Sequence, residues 1–205
     1  RGFCAGQDLG DRNPDGEDWP PDLGHTLTAY FNPLVRLITE LPMPVICAVN
    51  GVAAGAGANL ALACDMVLAA HTARFIQAFS KIGLVPDAGG SWALPNRVGL
   101  ARAMGLALTG DPLDATEAAQ WGLIWKSCPD EELMPTATAL AANFANGPTA
   151  AYAGTKSLMR AALFNSLDAH LDAEAQEQQK DGWSNDYAEG VRAFLAKRPA
   201  NFTGN

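Results

Sequence analysis

The chain has 205 residues, of which 48% are hydrophobic, so it is long and apolar enough for one or two domains with a buried core. This composition excludes an intrinsically disordered chain. The net charge of −8, with only 14 lysines and arginines, argues against a surface that binds nucleic acid.

The first part of the chain predicts a strand, a loop and a helix. Residues 1–4 resemble the inside of a strand, so we expect a further segment to precede them in the whole protein. Residues 10–25 are rich in Pro, Gly and Asp, which predicts an irregular surface loop. Residues 27–41 carry apolar side chains at helical spacing and are followed by Pro42, which predicts a helix.

The middle of the chain alternates short apolar strands with helices. Val45–Val49 is predicted to be a buried strand, and Asn50-Gly51 a turn. Four elements are predicted to follow: a short helix through Leu60–Ala63, a strand Met66–Ala70, a strand containing Phe75, and a helix Ala101–Leu108 closed by Gly110. Residues 114–117 resemble a capping box that opens one more helix.

Glycine becomes scarcer after about Asn143, and helical periodicity takes over. The periodicity predicts helices over residues 149–162, 167–180 and 187–197. The sequence therefore predicts an α/β core with parallel strands over residues 1–143, followed by a helical region over residues 144–205.

Cysteine usage and hydropathy indicate the compartment. The four cysteines are far apart and form no C-x-x-C motif: Cys4, Cys47, Cys64 and Cys128. We therefore predict reduced thiols in a cytoplasmic protein. Residues 45–64 are almost entirely apolar, but closely spaced glycines and the lack of a basic flank argue against a membrane-spanning helix.

Asp87 is an isolated carboxylate in the glycine-rich run of residues 83–90. Tight glycine turns expose backbone N–H groups that can hold a developing oxyanion, so one acid beside them suggests proton-transfer chemistry. An alternative is that Asp87 only caps a helix, because an Asp side chain accepts bonds from the first N–H groups of a helix. Gly55 and Gly57 have a similar alternative, close packing of a helix on a strand.

Several other kinds of site are not supported. Residues 55–60 begin like a dinucleotide-binding fingerprint, but Leu60 stands where the third glycine belongs. No P-loop, H-E-x-x-H or G-x-S-x-G motif is present. The three histidines lie in unrelated contexts, so a metal site is not expected: His25, His71 and His170.

Three ordered motifs and the C-terminal helix resemble those of the enoyl-CoA hydratase/isomerase (crotonase) family. They are residues 3–9 (Phe-Cys-Ala-Gly-Gln-Asp-Leu), 44–65, 75–90 and the closing 189–195. Within this family, residues 6–9 and 83–90 are most similar to the isomerases that act on ring-1,2-epoxyphenylacetyl-CoA in aerobic phenylacetate breakdown.

The resemblance implies a crotonase-like spiral of ββα units, whose first turns would precede residue 1. It also implies a C-terminal helical region that covers CoA and assembles a homotrimer or hexamer. An acyl-CoA thioester would be the substrate, and no metal or other cofactor would be needed, since CoA is part of the substrate.

The resemblance also implies site residues. In the family, two backbone N–H groups hold the thioester oxygen, and the matching positions are Gln7 and Ala56, the latter where glycine is usual. Contacts with substrate or CoA are implied for Ala5, Gln7, Asp8, Leu9, Ala56, Asn59, Phe79 and Lys197. For Lys197 a surface cation is an equally good interpretation, and for Phe194 a packed ring.

Departures from the family pattern point to the reaction. Hydratases of this family activate water with two glutamates, and the matching residues here, Asn59 and Phe79, are not bases. Asp87 matches a position at which some relatives place a single catalytic carboxylate. Its pKa should be raised by apolar neighbours, which we expect to be Phe79, Leu84, Val85 and Trp92.

An acyl-CoA isomerase is therefore implied, with Asp87 as general acid/base, that converts ring-1,2-epoxyphenylacetyl-CoA to the oxepin-CoA. Two alternatives stay open. A Δ3,Δ2-enoyl-CoA isomerase would need the same residues and differ only in the shape of its acyl group. A catalytically idle relative could instead bind acyl-CoA as a scaffold, because two expected acids are absent.

Overall fold

The computed structural model describes residues 2–10, 12–17 and 19–205. Arg1, in the predicted first strand, and Asp11 and Asp18, in the predicted loop, lie outside the described residues. The chain forms two compact units, one of residues up to 39 with 46–137 and the other of residues 40–45 with 138–205. The division predicted after residue 143 falls inside the helix Leu133–Ala145, and that boundary stays a prediction.

The first unit contains every strand of the described residues. They are β1 (Gly2–Cys4), β2 (Ile46–Val49), β3 (Val52–Ala54), β4 (Met66–Ala70), β5 (Arg74–Ile76), β6 (Pro112–Asp114) and β7 (Lys126–Cys128). The loop after β1 leads into α1 (Leu23–Thr26), a π-helical segment (Leu27–Phe31) and α2 (Asn32–Glu40). The other helices are α3 (Ala56–Ala63), a 3-10 segment (Ala78–Ile82), α4 (Gly90–Thr109), α5 (Ala115–Gln120), a 3-10 turn (Asp130–Glu132) and α6 (Leu133–Ala145).

These strands form two sheets, in the orders β1-β3-β5-β6 and β2-β4-β7. Every pairing is parallel except that of β5 with β6. From β1 to β5 consecutive strands alternate between the sheets, since β2 and β4 lie in one while β1, β3 and β5 lie in the other. Each pair is followed by a helix, so the chain makes successive ββα turns of a spiral, and the predicted α/β core is confirmed.

The core of this unit is built around β4 and α3. Met66–Ala70 is a continuous apolar run because β4 is paired on both edges and buried. Helix α3 is apolar on all sides, and all of its residues except Leu60 are buried. The predicted strand at Met66–Ala70 is confirmed, whereas the three-residue β3, β6 and β7 were not predicted.

Helix α4 is longer than predicted. It begins at Gly90 rather than Ala101 and bends at Gly99, whose φ of 75° is not helical. Pro95 and Gly99 hide the first half from a helical pattern, because both residues normally interrupt helices. Gly110 closes the helix as predicted: it is left-handed, and its N–H donates to the Leu106 carbonyl at 3.0 Å.

The predicted capping box at residues 114–117 is wrong in its contacts, although α5 does begin at Ala115. Asp114 makes no side-chain capping bond to this helix. Its carboxylate pairs instead with Arg74 Nε at 2.6 Å. The antiparallel register of β5 and β6 places Arg74 directly opposite Asp114, so a cross-strand ion pair takes the place of the cap.

The second unit is helical. It holds α7 (Thr149–Ala161), α8 (Leu167–Gly182) and α9 (Asn185–Leu195), close to the predicted helices. Lys156 Nζ donates to the Met43 carbonyl at 3.2 Å, which attaches residues 40–45 to α7. The C-terminal tail is held by Asp186, whose carboxylate accepts from the N–H groups of Thr203 and Gly204, both at 2.8 Å.

The cysteines and the helices of the described residues bear on the predictions of reduced thiols and of no membrane-spanning helix. No disulfide joins the four cysteines, all of which lie among the described residues, and Cys47, Cys64 and Cys128 are buried. In the part of the chain that the structure describes, no helix combines the length and apolar character needed to cross a membrane.

Candidate active site

The N-terminus of α3 presents backbone donors at the end of β3. Gly55 has a φ of 53°, which an L side chain rarely adopts, and its N–H donates to the Ile76 carbonyl at 2.9 Å. This turn makes Ala56 the first residue of α3. The first N–H groups of a helix have no partner within it, so the Ala56 amide is available to an oxyanion and the helix dipole favours negative charge there.

The segment after β1 lies directly against this helix start. A Cβ on Gly6 would come 3.3 Å from Ala56 N and 3.1 Å from the Ala54 carbonyl oxygen, and Gly6 has a φ of 85°. Only glycine fits these constraints, so the close approach explains the Ala5-Gly6-Gln7 sequence. Gln7 follows Gly6 directly, so its backbone lies in the neighbourhood of the Ala56 amide. Gln7 is also exposed.

Gln7 is further restrained through its side chain. With its amide oxygen facing Arg12, Gln7 accepts from Arg12 Nε at 3.2 Å. Asp8 restrains the next turn, since its Oδ1 accepts from the Gly10 N–H at 2.8 Å. Ala5, Asp8 and Leu9 are exposed, so they are accessible for the CoA contacts predicted for them, which stay predictions.

Phe79 forms an apolar wall at the same turn. It lies in the 3-10 segment after β5 and is 6% exposed. Its ring atom Cζ is 3.7 Å from where a Cβ of Gly55 would stand. The ring therefore packs over the turn that carries the Ala56 amide and keeps water from that side.

Asp87 lies in a strained turn just before α4. Ala88 and Gly89 both have positive φ values, 47° and 81°, and for the alanine this conformation costs on the order of 1–3 kcal/mol. The residue that caps α4 is Gly89, and no side chain caps this helix end. The interpretation of Asp87 as a helix cap is therefore wrong.

The carboxylate of Asp87 is partly removed from water. Its Oδ1 is buried and has no hydrogen-bond partner among the described residues. Burial raises the pKa of Asp87, and a contact with its own backbone N–H lowers the pKa by a smaller amount. The predicted direction of the pKa is confirmed, and a raised pKa suits a group that takes and returns a proton near neutral pH.

The expected apolar neighbours of Asp87 are less buried than predicted. Leu84 and Trp92 are about two-fifths exposed, and Val85 is 78% exposed. Val35 of α2 is an apolar neighbour of this turn that was not predicted. Its Cγ1 is 3.6 Å from where a Cβ of Gly89 would stand. The amphipathic pattern of α2 indicated a packed helix but could not show which turn it packs on.

Asn59 is fully enclosed between two protein groups. It is 1% exposed, its Nδ2 donates to the Asp87 carbonyl at 2.8 Å, and its Oδ1 accepts from Gln77 Nε2 at 2.8 Å. Contact of Asn59 with substrate stays a prediction, whereas its contact with the Asp87 backbone is in the structure. Gln77 was missed in the sequence; a polar residue directly after the strand that carries Phe75 was the available signal.

Lys197 lies in the second unit, just after α9, and is exposed with a positive φ of 50°. Phe194 is 83% exposed, so its interpretation as a packed ring is wrong for this chain. A CoA contact by Lys197 stays a prediction. Within residues 2–10, 12–17 and 19–205, no group of three or more His, Cys, Asp or Glu side chains could hold a metal ion.

The first unit thus combines backbone donors for an oxyanion, one desolvated carboxylate and an apolar wall. Comparison with known proteins agrees with this arrangement. The family model for enoyl-CoA hydratase/isomerase matches residues 1–205. The 1,2-epoxyphenylacetyl-CoA isomerase of Escherichia coli (strain K12) is 55% identical over 204 residues, which are 100% of this chain and 78% of that protein.

Two further relatives carry the name of the hydratase. A Rhodobacter capsulatus protein described as "Probable enoyl-CoA hydratase" is 52% identical over 204 residues, 100% of this chain and 78% of that protein. The crystal structure of an enoyl-CoA hydratase from Polaromonas sp. JS666 has a TM-score of 0.92 at 33% identity and covers 98% of this chain and 78% of that one. This chain therefore belongs to the enoyl-CoA hydratase/isomerase (crotonase) family of enzymes.

Proposed function

We propose that this enzyme is an acyl-CoA isomerase that converts ring-1,2-epoxyphenylacetyl-CoA to the seven-membered oxepin-CoA. The observation that carries the proposal is the Asp87 carboxylate, which is partly buried with one oxygen unpartnered within the described residues. No second acid stands at the positions where hydratases of the family hold glutamates, which are Asn59 and Phe79 here. One acid that can take and return a proton meets the needs of an isomerisation.

The thioester oxygen would be held by the N–H groups of Gln7 and Ala56. As Asp87 removes a proton from the carbon next to the thioester, negative charge moves onto that oxygen, where each donor is worth about 3–4 kcal/mol. The bond between the two epoxide carbons breaks to widen the ring, and protonated Asp87 returns its proton to a ring carbon. Product and substrate have the same formula, so the reaction needs neither an oxidant nor a metal.

The name of the Escherichia coli relative supports this substrate, while that of the Rhodobacter capsulatus relative favours hydration. Hydration requires a base that activates water, and an amide and a phenyl ring cannot supply one. Phe79 also covers the turn that carries the Ala56 donor. These features favour isomerisation over hydration.

CoA would lie along residues 5–9, and a CoA contact by Lys197 stays a separate prediction. Ala5, Asp8 and Leu9 are exposed, which supports this placement. We expect a cytoplasmic homotrimer or hexamer with no resident cofactor, since CoA enters with the substrate.

The experiment supplies the epoxide thioester to the purified chain and follows formation of the oxepin. Asp87→Asn should lower turnover about 10²- to 10⁴-fold, because it removes the only proposed acid/base group. Asp111→Asn is the matched control, since Asp111 is an exposed carboxylate outside the site, and its turnover should equal that of the wild type. Unchanged turnover in Asp87→Asn would remove Asp87 from its role.

Parallel arms separate the alternatives. Turnover of a 3-enoyl-CoA without turnover of the epoxide would identify a Δ3,Δ2-enoyl-CoA isomerase. Addition of water to a 2-enoyl-CoA at a higher rate than either isomerisation would identify a hydratase. Binding of all three thioesters without any product would identify an idle scaffold.

A further inference from the structure

A buried hydrogen-bonded chain runs behind the Asp87 turn. Gln77 Nε2 donates to Asn59 Oδ1 at 2.8 Å, and Asn59 Nδ2 donates to the Asp87 carbonyl at 2.8 Å. Gln77 and Asn59 are only 3% and 1% exposed. Side chains this deeply buried do not exchange partners with water, so the chain holds one arrangement.

The orientation of the Asn59 amide is set by the Asp87 carbonyl and completed by Gln77. A primary amide can present either its oxygen or its NH₂ group to a neighbour. Because the Asp87 carbonyl can only accept, the NH₂ group of Asn59 faces it, and the Asn59 oxygen is left to accept from Gln77. The reversed amide would place oxygen against oxygen at Asp87 and leave the Gln77 donor without an acceptor.

Gly90 fixes the distance between Asn59 and this turn. A Cβ on Gly90 would overlap the Asn59 side chain, coming 2.5 Å from its Oδ1 and closer still to Nδ2. The Gly90 N–H also donates to the Asp87 carbonyl at 2.8 Å. The carbonyl therefore receives two bonds, one from Asn59 and one from the start of α4.

We propose that Asn59, supported by Gln77, is a positioning residue that aims the Asp87 carboxylate by clamping its backbone carbonyl. The proposal rests on the acid/base role of Asp87 given above. Because the next residue, Ala88, has a strained φ of 47°, this peptide needs outside contacts to keep its plane. With the plane held, the side chain of Asp87 leaves the backbone in one direction and its Oδ1 stays out of water.

The position that carries a glutamate in hydratases thus serves a different purpose in this chain. A glutamate at residue 59 would offer oxygens to the Asp87 carbonyl and add a negative charge close to the carboxylate. An asparagine donates instead. The proposed acid of this site is at residue 87 instead of residue 59, and Asn59 supports the turn that carries it.

Three variants test the clamp, which is the hydrogen bond from Asn59 Nδ2 to the Asp87 carbonyl. Asn59→Leu removes the donor, Gln77→Met removes the bond to the Asn59 oxygen without adding a charge, and Gly90→Ala pushes Asn59 away from the turn. Gly105→Ala is the matched control for the last variant, because it lies in the same helix and a Cβ there meets nothing within 4 Å.

We expect kcat for the epoxide thioester to fall about 10- to 100-fold with KM within threefold of the wild type, as for a reacting group misplaced by about 1 Å. Loosening of the turn lets water reach Asp87, so the acidic limb of the kcat profile should move to lower pH. A merely structural role would lower the melting temperature without moving this limb. Gly105→Ala should match the wild type in kcat and in the position of the acidic limb.

A direct readout does not depend on turnover. The carboxyl carbon of Asp87 is titrated by ¹³C NMR in the full chain, and its midpoint should fall in the three clamp variants but not in Gly105→Ala. Unchanged midpoints in folded variants overturn the positioning role. If Asp87→Asn keeps wild-type turnover while the midpoints still move, the proposed function fails and the clamp stands.

Discussion

Asp87 is the residue on which the proposed reaction depends, and its backbone and its side chain have different surroundings. Its backbone is fixed by Asn59 and Gly90, while one of its carboxylate oxygens has no partner among the described residues. A carboxylate that only stabilised the fold would be paired or solvated. Burial makes the charged form of this carboxyl unfavourable, which suits a group proposed to exchange a proton.

The unfavourable charge of the buried Asp87 carboxylate predicts that Asp87→Asn stabilises the protein by an amount that depends on pH. Burial raises the pKa of Asp87 above its ordinary value of 3.8, so the folded protein binds this proton more tightly than the unfolded chain does. Between the ordinary and the raised pKa, stability therefore falls as the pH rises, and the charged form stays unfavourable above that window. Calorimetry should show Asp87→Asn melting at a higher temperature than the wild type at about pH 7.

The gain should shrink as the pH is lowered through the same window, because the wild-type carboxyl becomes neutral there. The exposed control Asp111→Asn should show no comparable trend. A gain that is the same at every pH, or a loss at about pH 7, would contradict the electrostatic explanation.

At the scale of elements, the site depends on how closely β1 and α3 approach. A Cβ on Gly57 would overlap the backbone of Cys4, coming 2.8 Å from its carbonyl carbon and closer to its oxygen. The strand end and the helix start are therefore in direct backbone contact. This contact restrains the spacing of the Gln7 and Ala56 amides, since Gln7 is three residues after Cys4 and Ala56 is one residue before Gly57.

Gly57→Ala should therefore damage stability and catalysis together. Relieving the overlap requires α3 or β1 to shift, at a cost of about 1–3 kcal/mol in unfolding free energy. A displaced oxyanion donor lowers kcat about 10²- to 10³-fold. Chemical denaturation and steady-state kinetics measure the two effects.

Gly2→Ala on β1 is the matched control, since its Cβ would meet only the Val52 carbonyl oxygen at an ordinary 3.7 Å. Its stability and kcat should stay near those of the wild type. If Gly57→Ala loses stability but keeps full kcat, the amide pair does not depend on this contact.

At the scale of the whole molecule, the second unit exposes more apolar surface than a lone chain needs. Its large exposed side chains include Met159, Phe164, Leu167, Trp183, Phe194 and Leu195, each more than 70% exposed. Surfaces of this kind are typical of contacts with other protein. They support self-assembly, while the number of copies stays a prediction.

We expect sedimentation equilibrium to give the mass of three or six copies, and the double variant Trp183→Glu with Phe194→Glu to lower it. Charges on apolar surface oppose its burial between subunits. Gln179→Glu adds a charge to the same helical unit at an exposed polar position and should leave the mass unchanged. A single-chain mass for the wild type would contradict the prediction.

The sequence by itself determined the elements with strong patterns and indicated the residues of the candidate site. Met66–Ala70 and the helices of the second unit were visible because continuous burial and helical periodicity leave clear patterns. Gln7, Ala56 and Asp87 were indicated by their motifs. The three-residue strands β3, β6 and β7 were not, because so short a run carries no periodicity.

Only the tertiary structure decided what the polar residues touch. Asp114 pairs with Arg74 rather than capping α5, because antiparallel register brings together residues distant in sequence. Asn59 reaches the Asp87 carbonyl from 28 positions away, and its oxygen accepts from Gln77. A sequence pattern shows which residues are available for chemistry, but hydrogen bonds are short and directional, so their partners are fixed only when the folded backbone sets the distances.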